Sequence, residues 1–317
     1  MKKEFSLNPK LNVIKNGWKG NLKINGRFVQ NLSKSDGLMA TIKWVVKMKF
    51  SGKKMESFVK VSNDYNKLPE KDYTLWLGHS CFLIKLNGKL IITDPCFYDL
   101  PFSPRLVNFD INLSKFEKID YVLISHNHLD HLNIKSLKEI IKLNPNLKIL
   151  ASLGAKSILS KFNVKTEEAS WFQKYKTDKI GIYFMPAFHW SRSNINNMNK
   201  VLWGSFVIQS KDKTLFFAGD TTSENNFEEI KNFFPKIDYF FVPIAPSIYP
   251  KFHLSGDEAI KIARFIRSKK IIPMHYGTYQ QSTEEGNYSM NLFINEAKKQ
   301  KIFDRCLILP IGEYLKI

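Results

Sequence analysis

The 317-residue sequence is poor in cysteine, has no long apolar run and is short of acid. Its three cysteines, Cys81, Cys96 and Cys306, are odd in number and nowhere spaced C-x-x-C, which argues against a disulfide framework and against a thiolate zinc site. They read as buried or inert thiols. No stretch approaches the roughly 18 uncharged apolar residues that a membrane-spanning helix needs, and the opening MKKEFSLNPKLN has no apolar core behind its lysines. The expectation is a soluble, cytoplasmic protein. Asp and Glu number 29 against 48 Lys and Arg, for a net charge of +19. Such an excess draws a protein toward phosphate polyanions and anionic surfaces. Here, however, the charge is mostly lysine scattered along a chain rich in Asn and Ile, with neither clustered arginine nor a reading helix. A nucleic-acid-processing or nucleic-acid-binding protein is therefore the last of the readings kept open, and nucleic acid is not an expected partner.

Histidine is also scarce, at seven residues, yet three of them and an aspartate crowd into positions 126–131. The surrounding pattern shows where they fall. Residues 1–72 are polar and irregular, with NGRFVQNLSKSDG reading as loop, and form an extension expected to pack on a main domain of residues 73–317. YTLWLGHSCFLIKL and LIITDP read as two strands joined at Asn87-Gly88, a dipeptide that tolerates the positive φ of a tight hairpin. KIDYVLIS follows as a buried strand, NIKSLKEIIKLN as a helix and LKILAS as another strand. KLIITDP and KIDYVLIS in the first half are echoed by TLFFAGD and KIDYFFVPI in the second. Two such halves, each a sheet with helices on its outer face, would pack into an α/β (α+β) sandwich of four layers. The loops at one end of the strands would then meet and gather polar residues from distant positions.

The candidate ligands in SHNHLDHLN are His126, His128, Asp130 and His131, on the loop leaving the strand YVLIS. His126 and His128 can turn toward one metal, with Asp130 and His131 suited to a second close by. Imidazole and carboxylate are donors that Zn²⁺, Fe²⁺ and Mn²⁺ accept. His189 in MPAFHWSR, Asp220 in FFAGDTT and His275 in IIPMHYGT each close a predicted strand. Singly each has a plain structural explanation. Together they supply the bridging carboxylate and the extra ligand per metal that a two-metal site needs.

The order H-x-H-x-D-H, His189, Asp220 after Ala-Gly, and His275 resembles the metallo-β-lactamase fold of binuclear hydrolases over residues 73–317. Within it, WLGHSCFLIKLNGKLIITDP, ISHNHLDHL, PAFHWSR, NKVLWGSFVI, FFAGDT and HYGTY resemble the N-acylphosphatidylethanolamine-hydrolysing phospholipase D group and its bacterial relatives. The resemblance implies the four-layer αβ/βα sandwich and two divalent ions, Zn²⁺ before Mn²⁺ or Fe²⁺. His126, His128 and His189 would hold one, and Asp130, His131 and His275 the other, with Asp220 bridging. It implies a phosphodiesterase in which a hydroxide between the metals attacks phosphorus. Asp130, alongside its part as a ligand, and His253 are assigned to the chemistry, His253 in protonated form meeting the leaving oxygen. His79 and Asp94 would stand behind the ligands, Asp94 orienting an imidazole. The same apparatus would also hydrolyse a small lactone or sugar-phosphate lactone, which is the alternative reading. A small molecule or phospholipid is the expected substrate, and homodimers occur among larger members of the group. Residues 37–52, GLMATIKWVVKMKFSG, have a helical apolar side flanked by Lys43 and Lys47 that would suit peripheral membrane contact, though a helix covering the protein's own core gives a similar pattern. Trp190, Trp203, Tyr249, Phe252 and Tyr276 lie near the motifs and would line an apolar entrance or pack in the core.

Overall fold

A computed structural model of the chain describes residues 1–29, 57–101, 103–107, 109, 111–116, 118–194, 196–245, 252–280 and 287–317. The 37–52 segment and Tyr249 lie outside the described residues. Among those described, no helix is long and apolar enough to cross a membrane.

The stretch expected to be irregular carries four short strands. β1 (Lys3–Ser6), β3 (Asn21–Ile24) and β4 (Arg27–Phe28) form a small antiparallel sheet, whereas β2 (Asn12–Val13) is added to the edge of a larger one. Strands of two to four residues are too brief to display a period in the sequence, which is why they read as loop. Leu11 and Phe28 are buried in the main apolar core.

The first large sheet begins with β5 (Tyr73–Gly78), β6 (Cys81–Leu86) and β7 (Lys89–Thr93), an antiparallel meander. β8 (Tyr121–Ile124), β9 (Lys148–Ser152) and β10 (Lys165–Ala169) extend it in parallel, and β17 (Tyr314–Lys316) pairs antiparallel with β5 at the far edge. The apolar run expected as one strand before the hairpin is thus two. The chain reverses at Gly78 (φ 100°) and His79 (φ 53°), and uninterrupted apolar residues on both sides concealed the turn.

The second sheet repeats the plan. β11 (Gln173–Lys174), β12 (Gly181–Met185), β13 (Ser205–Gln209) and β14 (Thr214–Phe217) are antiparallel; β15 (Tyr239–Pro243) and β16 (Lys270–Met274) follow in parallel, and β2 pairs with β11. The sequence echo has a physical cause. Asp120 and Asp238, from the two KID triplets, each precede a parallel strand and accept the backbone N–H of the preceding one: Leu90 N to Asp120 Oδ2 at 2.9 Å and Thr214 N to Asp238 Oδ2 at 2.9 Å. Ile119 and Ile237, one residue earlier in each triplet, are buried.

Alternation sorts the layers. On the first sheet Ile91, Leu123 and Leu150 join the core between the sheets, while Ile92, Val122, Ile124 and Ile149 face the helices Ile134–Leu143 and Lys156–Leu159. On the second, Phe241 meets Phe82 of the first sheet with ring centroids 4.9 Å apart, and Phe216 faces Phe227 in the helix Phe227–Phe233. The helices Gly256–Phe265 and Tyr288–Lys299 pack into the same core. The result is the four-layer αβ/βα sandwich. With both faces of each sheet covered, strands such as YVLI are apolar at every position.

Candidate metal centre

Six of the ten predicted site residues lie just past the carboxyl end of a strand: His79 after β5, Asp94 after β7, His126 after β8, His189 after β12, Asp220 after β14 and His275 after β16. Pairing directions make β5, β7 and β8 run the same way, and likewise β12, β14 and β16. The loops of both sheets therefore open into one crevice, the general location of ligands in open α/β sheets.

The turns there are tightly determined. His79, Asp94 and His275 all have positive φ, at 53°, 35° and 65°. Backbone of this kind costs on the order of 1–3 kcal/mol per residue and persists where surrounding bonds enforce it. They do so here: the His79 carbonyl accepts from Trp76 Nε1 at 2.9 Å and from His275 N at 3.1 Å, while His79 N donates to Thr278 Oγ1 at 2.7 Å. Asp94 N donates to Leu123 O at 2.9 Å, locking the end of β7 to β8. Downstream, Asn133 caps the helix Ile134–Leu143 by accepting from Ser136 N at 3.0 Å, which anchors the far end of the H-x-H-x-D-H loop.

All seven histidines converge on this crevice. His126, His128, His189 and Asp220 form one group of donor atoms mutually within 4.8 Å, and His79, Asp130, His131 and His275 form a second. Asp220 lies between them. Its Oδ2 is 3.2 Å from His131 Nε2 and 3.3 Å from His275 Nε2, and 3.6 and 3.7 Å from His189 Nε2 and His126 Nε2. In the first group His128 turns Nδ1 inward, 2.8 Å from His126 Nε2 and 3.2 Å from His189 Nε2. Around a tetrahedral zinc with Zn–N near 2.0–2.1 Å, donor nitrogens stand about 3.3 Å apart. His253 completes a smaller set with Asp220 and His275, its Nδ1 3.7 Å from Asp220 Oδ2 and its side chain 20% exposed at the mouth. Trp190, half-buried, sets its ring edge-to-face with His128 at 4.5 Å and lies 6.1 Å from Phe252. Trp203 and Tyr276 are buried in the core instead.

Behind the donors stands a layer of orienting bonds. Asp94 Oδ2 is 2.8 Å from His131 Nδ1, and the Phe252 carbonyl is 3.0 Å from His189 Nδ1. Each carbonyl or carboxylate accepts the Nδ1–H and leaves Nε2 as the inward lone pair. His79 Nε2 lies 2.9 Å from Asp130 Oδ2, inside the second group rather than only behind it. Sequence reasoning overlooked Ser125, Thr278 and the Phe252 carbonyl; these act through contacts between strands and loops that are remote or unmarked in the chain.

The electrostatics separate the imidazoles. Burial holds His126 and His189 well below the usual range, and lowers His128 and His253 to about 4 and His79 to about 3. Burial works against charge on His131 and His275 too, but the carboxylates of Asp220 and Asp130 outweigh it, raising His275 to about 9 and His131 well above its ordinary value. The two carboxyls are correspondingly held far below theirs despite their burial. The crevice thus demands positive charge against two carboxylates, buried Asp220 and half-buried Asp130. His131 Nε2, His275 Nε2 and Asp220 Oδ1 are buried and make no hydrogen bond among the described residues. Inward lone pairs, unsatisfied atoms and paired carboxylates fit divalent cations.

The family comparison decides the rest. Residues 74–275 match the family described as the Beta-lactamase superfamily domain. The chain belongs to that superfamily. Its curated relatives include the N-acyl-phosphatidylethanolamine-hydrolyzing phospholipase D 1 of Caenorhabditis elegans, 27% identical over 234 residues, spanning 67% of this chain and 66% of that one. Another is the N-acyl-phosphatidylethanolamine-hydrolyzing phospholipase D, mitochondrial, of Saccharomyces cerevisiae, 31% identical over 239 residues, 70% of this chain and 50% of that one. The chain therefore spans less than two thirds of either relative's length. A metallo hydrolase from the hyperthermophilic archaeon Ignicoccus hospitalis superposes with a TM-score of 0.61 over 77% of this chain and 97% of that one at 21% identity, a likeness of fold. The chain thus carries the metallo-β-lactamase fold of its superfamily, with His/Asp groups that could hold metal ions.

Proposed function

We propose that this superfamily member is a binuclear phosphodiesterase of phospholipase D type. The observation that carries the reading is the position of Asp220 between two complete sets of donors, His126, His128 and His189 on one side and Asp130, His131 and His275 on the other. Two divalent cations, Zn²⁺ as the first choice, supply a water acidic enough to act as nucleophile near neutrality and a Lewis acid for a phosphoryl oxygen. The protein holds the carboxylates and imidazoles in place before substrate arrives, so little reorganisation is needed during reaction. His79 Nε2, 2.9 Å from Asp130 Oδ2, orients that carboxylate within the second group.

His253 stands at the solvent side of the crevice, where it can meet a leaving oxygen. Burial lowers its imidazole to about 4, and neutral or protonated the ring carries an N–H that can donate a hydrogen bond to that oxygen. Beside the charged centre, half-buried Trp190 packs against His128 and lies 6.1 Å from Phe252, and Leu129 in the same loop as His128 is 40% exposed; apolar surface of this kind suits a phosphodiester carrying aliphatic chains. The relatives named as N-acyl-phosphatidylethanolamine-hydrolyzing phospholipases D support the same substrate class.

The test is metal analysis of the purified protein followed by turnover of N-acylphosphatidylethanolamine vesicles, bis-(p-nitrophenyl) phosphate, small lactones and DNA by the zinc-loaded enzyme. The proposal expects two zinc ions per chain and release of phosphatidic acid from the phospholipid. Lactone turnover without phosphodiester turnover would instead establish the lactonase reading.

A further inference from the structure

Among the buried polar groups around the crevice, Ser125 has no part in the reading above. Ser125 is fully buried between β8 and His126. Its Oγ lies 2.6 Å from Asp94 Oδ2 and 2.9 Å from His126 Nδ1, and its backbone N donates to Asp94 Oδ1 at 2.8 Å. Asp94 Oδ2 is also 2.8 Å from His131 Nδ1. His126 belongs to one donor group and His131 to the other.

Hydrogen counting leaves one consistent arrangement. The Asp94 carboxylate accepts only, so the Ser125 hydroxyl donates to it. A hydroxyl whose single hydrogen is committed has only lone pairs left, so His126 Nδ1 must carry a hydrogen and donate it to Ser125 Oγ. His126 Nε2 is then the bare nitrogen, and it is the atom that faces His128 and Asp220. His131 donates its Nδ1–H to Asp94 directly, with Nε2 turned to the crevice.

The geometry points to Ser125 as a positioning residue that relays Asp94 to His126, so that a single buried carboxylate orients and sets the tautomer of one imidazole in each metal group. This inference rests on the two-cation reading and deepens it. The relay needs β7 and β8 to be parallel neighbours, since only then does the acid ending one strand meet the serine ending the next. It predicts an asymmetry. Loss of the hydroxyl disturbs one group, whereas loss of the carboxylate disturbs both.

The experiment uses the full chain as wild type, Ser125→Ala and Asp94→Asn, with zinc affinities measured by competition against a chromophoric chelator. Loss of an orienting partner behind a ligand typically weakens metal binding about 10–100-fold. Ser125→Ala is expected to weaken one of the two zinc ions by that factor and leave the other within about twofold, and Asp94→Asn to weaken both. Long-range ¹⁵N–¹H correlations on the metal-free protein supply a readout independent of loading. In wild type His126 should appear as the Nδ1–H tautomer, and in Ser125→Ala it should become mixed while the His131 signals stay unchanged. Two zinc ions bound by Ser125→Ala with unaltered affinity, or a His126 tautomer indifferent to the substitution, would overturn the relay and leave the two-cation reading standing. Wild-type protein binding fewer than two zinc ions would overturn both.

Discussion

Asp220 leaves β14 through Gly219, and replacing that glycine tests how closely the fold dictates the centre. Gly219 has φ 59°, and a Cβ built on it would stand 2.7 Å from the Gly204 carbonyl oxygen and 3.1 Å from Ser125 Cβ. Gly88, in the hairpin between β6 and β7, is the matched control: its φ is 74° and nothing lies within 4 Å of its Cβ position. Alanine at either site places a side chain in the left-handed region, at a cost of about 1–2 kcal/mol. At Gly219 the methyl must also displace backbone and a buried serine, an overpacking cost of about 1–3 kcal/mol. The sums are about 1–2 kcal/mol for Gly88→Ala and about 2–5 kcal/mol for Gly219→Ala. At roughly 2 °C per kcal/mol for a chain of this size, they correspond to losses of about 2–4 °C and about 4–10 °C in Tm. Calorimetry of both variants reads the difference directly. Because the crowded atoms belong to Ser125 and adjoin Asp220, Gly219→Ala should weaken zinc binding as well, while Gly88→Ala should not. Equal Tm shifts in the two variants, or unaltered zinc affinity in Gly219→Ala, would refute the idea that this close approach sets the centre.

His128→Ala and Asp220→Ala are each expected to abolish hydrolysis with the far-UV circular dichroism retained; wild-type turnover at unchanged metal stoichiometry would count against their placement as ligands. His253→Ala should turn over more slowly with both metals kept, and loss of a metal would instead make His253 a ligand. Asp238 accepts from Thr214 N at 2.9 Å and lies 2.9 Å from Lys269 Nζ, and although burial opposes it, those donors hold its carboxyl below the usual range. A depressed native pKa contributes stability that is complete above the unfolded value, near 4, and disappears as pH falls through the native one. The stability gap between wild type and Asp238→Asn, about 1 kcal/mol from exchanging a charged acceptor for a neutral one, should therefore be full at neutrality and close in acid. Urea titrations showing a gap independent of pH would rule out that role.

The chemistry of the centre was legible wherever it depends on short spacings. H-x-H-x-D-H lies on one loop, and the lone Asp220, His189 and His275 stood out because each follows an apolar strand. The KID echo was visible too, and its meaning is mechanical: in both halves the aspartate ties a parallel strand to its predecessor. The strands of residues 1–29 escaped notice because two to four residues carry no period. The reversal at His79 escaped because the short Gly78-His79-Ser80 break lies between two apolar stretches that read as one strand, and a left-handed histidine is not announced by its residue type. By itself the sequence determined the kinds of donor, their order and the strands that carry them, since these follow from composition and local periodicity. Tertiary structure decided which imidazoles face which carboxylate, that His128 offers Nδ1, and that Ser125 connects Asp94 to His126. Those depend on which strand ends the fold brings together, within one sheet for Asp94 and Ser125 and across the two sheets for Asp220 and His131, and a hydrogen bond about 3 Å long is set by that packing and not by distance along the chain.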